Sequence, residues 1–181
     1  GRIRLTAHQK LLVLDVPEAE TAALVEALDT LGLPATPSEW RRGVLACTGI
    51  EYCKLALVET KARARSAVEE LERRIPDLDA PVTIHVNGCP NSCARFQVAD
   101  IGLKGLVMTG ASGETVDGFQ VHLGGALGGN ARLARKTRAL RVEADDLVDY
   151  VDRVVTRFRT DQTPGESFAE WAHRADEEAL R

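Results

Sequence analysis

Apolar positions along this chain keep two different rhythms, and they divide it into short strands and longer helices. Residues 2–16 read as two short strands around Thr6-Ala7-His8-Gln9, the second being the apolar run Leu11-Leu12-Val13-Leu14. A helix is predicted next. Pro17 suits its first turn, and Glu18 and Glu20 lie near its positive dipole end. Leu24, Leu28 and Leu31 share one face, and Gly32 is the expected stop. Residues 33–42, with two prolines, read as a connector, and Val44-Leu45-Ala46 as a strand ending at Cys47. A long helix is predicted from about Tyr52 to Arg74, because Leu57, Ala64, Val68, Leu71 and Ile75 recur at helical spacing; Pro76 ends it. Val82, Ile84 and Val86 alternate with Thr83 and His85 in a strand that delivers Cys89. Phe119, Val121 and Leu123 form another strand, closed by Gly124-Gly125. Leu147, Val148, Val151, Val154, Val155 and Phe158 mark an amphipathic helix, and Phe168 and Trp171 a short last one.

This order of elements predicts an α+β fold. The strand–strand–helix piece over about 1–40 is too short to bury a core alone, so something must complete it, in this chain or outside it. Composition adds little beyond a globular chain: 181 residues, 44% hydrophobic and 28% charged. No run reaches the roughly 18 apolar residues of a membrane span, and the N-terminus does not read as a signal peptide. A formal charge of -4 argues against nucleic acid as a partner. Four cysteines are too few for a disulfide scaffold, which points to a cytoplasmic protein with its thiols available for metal.

Those cysteines carry the candidate chemistry. Cys47 and Cys53 form Cys-x5-Cys, and Cys89 and Cys93 form Cys-x3-Cys, with 35 residues between the pairs. Two short-range pairs brought together by a fold can supply four thiolates to one metal centre. Each pair follows a strand and is expected at or just before a helix start, where backbone N–H groups favour thiolate. Gly49 and Gly88 permit tight backbone around a cluster, and Pro90 suits the first turn of a helix holding Cys93. Zinc and buried free thiols are the competing readings; Cys-x5-Cys is wide for a zinc knuckle.

The segments Cys47-Thr48-Gly49-Ile50-Glu51-Tyr52-Cys53-Lys54-Leu55-Ala56 and His85-Val86-Asn87-Gly88-Cys89-Pro90-Asn91-Ser92-Cys93-Ala94-Arg95 resemble the two cluster motifs of the sirohaem-dependent nitrite and sulfite reductases. Glu59-Thr60-Lys61, Asp100 to Gly105, Gly118 to Gly125 and Gly165 to Phe168 continue the match over essentially the whole chain. The wording is closest to the ferredoxin-dependent assimilatory type. The resemblance implies a partial ferredoxin-like half-domain over 1–40, followed by a cluster/sirohaem α/β domain over 41–181. It implies one [4Fe–4S] cluster on Cys47, Cys53, Cys89 and Cys93, with Cys93 also bridging to the sirohaem iron. Reduced ferredoxin would supply electrons for six-electron reduction of sulfite to sulfide or nitrite to ammonia. Asn91, Arg95, Lys104, Asn130 and Arg132 are candidate cofactor contacts. Only the second half of the family's pattern is recognisable, so a missing N-terminal half is the expected partner and would carry the substrate-gripping residues. The chain by itself is expected to be inactive.

Arg132, Arg135, Lys136, Arg138 and Arg141 form a basic run without an intervening acid. It reads as a solvated loop, as a cradle for sirohaem carboxylates after Gly128-Gly129-Asn130, or as a ferredoxin-docking surface. His85 and His122 are expected to be satisfied, half-buried strand residues, His8 and His173 surface residues, and Trp40 and Trp171 packing residues. A precorrin-3B synthase-like cluster enzyme and a non-enzymatic iron–sulfur or zinc module remain as alternatives, and the substrate leans to sulfite.

Overall fold

The structure is a computed structural model describing residues 1–181 apart from the side chain of Arg138, so that residue of the basic run lies outside the described side chains. It divides into two compact units, Gly1–Ser38 and Glu39–Arg181.

In the first unit, β1 (Arg2–Leu5) and β2 (Leu11–Leu14) form an antiparallel hairpin with Ile3 opposite Val13, followed by α1 (Glu18–Thr30). The helix ends one residue before Leu31, and Gly32 takes a φ of +71°, the left-handed geometry that lets the chain leave a helix. None of residues 1–38 is buried, and Ile3, Leu5, Leu11 and Leu12 stay exposed. The unit thus has its predicted elements without a core of its own.

The second unit is built on a five-stranded sheet in the order β3-β4-β5-β6-β7, which are Val44–Ala46, Ile84–Asn87, Ile101–Thr109, Thr115–Leu123 and Arg135–Glu143. β3, β4 and β5 run parallel; β6 and β7 complete the sheet antiparallel. A short helix, α2 (Glu39–Gly43), precedes β3, and α3 (Lys61–Arg74) crosses from β3 to β4. After β7 come α4 (Leu147–Asp161) and α5 (Phe168–Arg174), the latter opened by a capping box between Ser167 and Glu170.

Alternation gives the sheet two unlike faces. Ile84 and Val86, Ile101 and Leu103, and Phe119, Val121 and Leu123 belong to a continuous core with Val68 and Leu71 of α3 and Val151, Val154, Val155 and Phe158 of α4. Trp40 and Trp171 are buried in that core as expected, and Trp40 also donates its indole N–H to the carbonyl of Ile75 at 3.0 Å. The opposite face carries His85, Asn87, Lys104, Gln120, His122, Lys136 and Arg141, which the strand registers bring side by side. Gln120 is buried there because its amide fills a bulge in β7, donating to the carbonyl of Leu140 at 2.8 Å, and Ala139 in that bulge has a φ of +57°.

Three expectations need correction. The basic run is not a loop: residues 135–141 belong to β7, whose charged residues hid its period-two pattern. The predicted helix from Tyr52 begins only at Lys61, because residues 51–60 form turns whose backbone is tied to other loops. No helix holds Cys93; turns over 90–95 lead into a single 3₁₀ turn, Phe96–Val98.

Loop 88–100 lies against the polar face, and Gly102 makes this possible. A Cβ there would sit 1.9 Å from the carbonyl oxygen of Phe96, a backbone atom that cannot swing away. Replacing Gly102 by Ala is expected to destabilise the unit by about 2–3 kcal/mol, the upper range for overpacking, measured by urea unfolding. His122 supplies a second expectation. Burial first, then Lys104 and Lys136, push its imidazolium down to about 4 from the usual 6.5. A depressed folded-state value means the unfolded chain binds the proton more readily between those values. Its contribution to stability is therefore present above about pH 6.5 and lost as pH falls towards 4. NMR titration of His122 should show a midpoint near 4, rising in Lys104→Met.

Candidate metal centre

Parallel strands with a crossover between them end at the same edge of a sheet, and that edge is where open α/β sheets place their ligands. β3 and β4 are such neighbours, with Ala46 opposite Val86. Cys47 follows Ala46 directly, and Cys89 lies two residues beyond Asn87, the last residue of β4. One cysteine of each pair is therefore delivered to the same edge by the sheet itself.

Hydrogen bonds then zip the two loops together. The Cys47 N–H donates to the carbonyl of Val86 at 3.0 Å, and the Leu57 N–H to the carbonyl of Gly88 at 2.7 Å. The Gly88 N–H points at the Cys47 sulfur, 3.2 Å away. A backbone donor aimed at sulfur tunes any metal held there. Gly88 has no room for a side chain: a Cβ would lie 3.0 Å from both the Ala56 Cβ and the Val58 carbonyl oxygen.

The first loop is pinned where α3 begins. Thr60, fully buried, donates its hydroxyl to the Cys47 carbonyl at 2.7 Å, and its Oγ1 lies 3.8 Å from the Cys47 sulfur. Glu59 accepts the Ala62 N–H at 3.1 Å, capping the first turn of α3. Gly49, at a φ of +76°, is required because a Cβ there would press on Thr60 Oγ1 at 2.6 Å. Cys53 is held in a tight turn by its N–H bond to the Gly49 carbonyl at 3.0 Å. Glu59 and Thr60 thus act as loop anchors, a role the helix expectation had obscured.

The second loop is clipped from the sheet. His85 is 3% exposed, and its Nδ1 lies 3.1 Å from the Arg95 carbonyl. Asn87 accepts the Ala94 N–H at 2.7 Å. Ser92 and Arg95 both adopt left-handed backbone, and the Ser92 hydroxyl bonds the Gln97 side chain. The helix start expected at each cysteine pair is therefore absent; a loop donor, the Gly88 N–H, faces the Cys47 sulfur instead.

The four thiols are unbonded to one another: Cys89 is buried, Cys47 and Cys53 are half-buried, and Cys93 is exposed. Among the described residues, no three of His, Cys, Asp or Glu stand together closely enough to hold a single metal ion. A cube of four irons takes one thiolate per iron at its corners, more widely spaced than the ligands of one ion.

The other candidates fall into separate places. Asn91 is exposed in the second loop and Arg95 is half-buried behind it. Lys104 is half-buried on the polar sheet face, beside His122. Asn130 is exposed and Arg132 half-buried in the loop after β6, with the Arg132 Nε donating to the Asn130 carbonyl at 3.4 Å. That loop touches the second cysteine loop: the Ala134 N–H bonds the Gln97 carbonyl at 2.7 Å, and Gly125 packs on Ala99. Arg135 faces away from the polar face, donating to the carbonyl of Ala175 at 3.0 Å.

His122 is a residue that strand alternation undervalued. It packs on Phe96, its ring centre 4.7 Å away, but its buried Nε2 has no hydrogen-bond partner, so it is not the satisfied histidine expected. Among the described residues no ion pair joins Lys104 or Lys136 to an acid, so this face is basic and uncompensated. His173, expected at the surface, is exposed but holds the Gly124 carbonyl with its Nε2 at 3.0 Å.

Comparison with known proteins agrees with this geometry. Residues 39–181 match the family described as the nitrite and sulphite reductase 4Fe-4S domain. The chain is 53% identical, over 99% of its length, to a sulfite reductase [ferredoxin] of Mycobacterium tuberculosis, covering 33% of that protein. It is 40% identical over 86% of its length to the ferredoxin–nitrite reductase of Synechococcus elongatus, covering 30% of it. The solved structure of the Mycobacterium tuberculosis NirA protein superposes with a TM-score of 0.95 at 52% identity, over 99% of this chain and 34% of that one. The chain thus spans about a third of the length of the relatives it matches. With the matched region covering the whole sheet and both cysteine loops, the chain belongs to the nitrite and sulphite reductase 4Fe-4S domain family.

Proposed function

We propose that this chain is the cluster-bearing part of a ferredoxin-dependent sulfite reductase, in which Cys47, Cys53, Cys89 and Cys93 hold one [4Fe–4S] cluster. The observation that carries the reading is the paired delivery of Cys47 and Cys89 by β3 and β4, locked by the Gly88 N–H on the Cys47 sulfur. The residues present fit the group: four free thiols on two adjoining loops, glycine where backbone must come close, and an N–H aimed at sulfur.

Each residue then has a task. Cys47 and Cys89 anchor the cluster from the sheet edge. Cys53 would be the second ligand from the first loop, and Cys93, the exposed member, would be the ligand open to bridging toward sirohaem. Bound sirohaem would supply the iron at which the anion is reduced by six electrons, with the cluster as electron store. Lys104 and Lys136 gather positive charge on the polar face around His122, which suits the many carboxylates of such a macrocycle. Asn91, Arg95, Asn130 and Arg132 are assigned as further cofactor contacts from other loops.

Reduced ferredoxin is the electron donor in this reading, following the names of the relatives, and the reaction would take place in the cytoplasm. Sulfite is preferred to nitrite because the 53% identical relatives are named sulfite reductases and the nitrite reductases stand at 40% or below. The groups that grip the anion are assigned to a further segment that this chain lacks. Residues 1–40 are assigned to part of a ferredoxin-like half-domain, and their exposed apolar face is what such a segment would cover. No helix is long and apolar enough to cross a membrane among the described residues.

Two expected outcomes test this. After anaerobic reconstitution, the protein should gain broad visible absorbance, and Cys47→Ser or Cys89→Ser should reduce it to background; colourless protein with stoichiometric zinc would sink the cluster. In the intact protein carrying this chain, reduced ferredoxin should drive sulfite consumption at least tenfold faster than nitrite consumption. Equal or reversed rates would overturn the sulfite assignment.

A further inference from the structure

Asn87 is among the most buried polar side chains of the sheet, 1% exposed, and only half of its amide is used. Its Oδ1 accepts the Ala94 N–H at 2.7 Å, but its Nδ2 is buried with no hydrogen-bond partner. Leaving such a donor unpaired is destabilising, and an aliphatic side chain would avoid the cost. Such a group in a native protein calls for an explanation, and a partner supplied from outside the fold is one.

Its place is specific. Asn87 is the last residue of β4, and its bond to Ala94 closes residues 87–94 into a ring containing both Cys89 and Cys93. The neighbouring bond between His85 and the Arg95 carbonyl clips the same segment one residue further on. Two side chains from one strand face thus hold the turn that presents Cys93, the exposed thiol. The spare amide N–H group belongs to the side chain that closes that ring.

We infer that Asn87 is a positioning residue with two separable duties: its Oδ1 fixes the turn bearing Cys89 and Cys93, and its Nδ2 is held in reserve as a hydrogen-bond donor to the sulfur of the bound cluster. This rests on the proposed reading of the four cysteines as cluster ligands. Donors to cluster sulfur stabilise the reduced, more negative state and so raise the reduction potential. The partner this donor lacks in the protein alone is then supplied on loading.

Two substitutions in the intact protein separate the duties. Asn87→Ala removes acceptor and donor; Asn87→Asp keeps an acceptor for Ala94 and removes the donor, with Lys104 opposite it in the register to offset the charge. In the metal-free protein, Asn87→Ala should lower the melting temperature by several degrees, and Asn87→Asp should recover most of that loss. In the loaded protein, redox titration followed by EPR should give a lower midpoint potential for both. An equal melting loss in both variants would overturn the clip. A wild-type potential in Asn87→Ala would overturn the donor. If Asn87→Ala does not fold, Asn87→Asp alone still decides the donor: a wild-type potential there refutes it. If the wild type itself takes up no cluster, the reading of the cysteines fails and the donor with it, while the melting temperatures still decide the clip.

Discussion

Everything proposed for this chain depends on one pairing, the parallel register of β3 with β4. It costs a crossover, met by α3, and it brings two loops distant in sequence to one edge of the sheet. Three backbone contacts then join those loops: Cys47 to Val86, Leu57 to Gly88, and Gly88 to the Cys47 sulfur. None of these tolerates much change. Gly88 sits against Ala56 and Val58, and Gly49 against Thr60, so the loops close over one another only because both positions lack a side chain.

The sheet divides its labour between faces. The apolar face, packed by α3 and α4, stabilises the unit and makes the strand ends rigid. The polar face carries His85, Asn87, Lys104, Gln120 and His122, groups that a soluble sheet would ordinarily leave to solvent or cover with a helix. Here a loop crosses it instead, close enough that Gly102 must be glycine. Two of these side chains clip the loop, one fills a bulge, and Lys104 and His122 keep a charge and a donor or acceptor uncompensated. Strain of this sort, stability forgone at one face, is what a cofactor-binding surface requires.

Much of this was legible in the residues. The strands ending at Cys47 and before Cys89, α1 with its stop at Gly32, and α4 announced themselves through clean periodicity and punctuation. The cysteine motifs carried the family outright. What was hidden had a physical cause in each case. β7 escaped because Arg135, Lys136 and Arg141 mask its alternation, and β5 because glycines interrupt it. The helix expected from Tyr52 failed because Ile50, Tyr52, Leu55 and Leu57 are apolar but exposed, so their spacing reports no core-facing stripe. His122 and Asn87 could not be singled out, since an unsatisfied donor or acceptor is a property of surroundings and not of spacing.

The most direct test of the central claim is the iron and acid-labile sulfide content of the anaerobically isolated protein, counted per chain. A [4Fe–4S] centre held by the four cysteines gives four of each, as the family description states. Iron without sulfide, or one zinc per chain with neither, would contradict it.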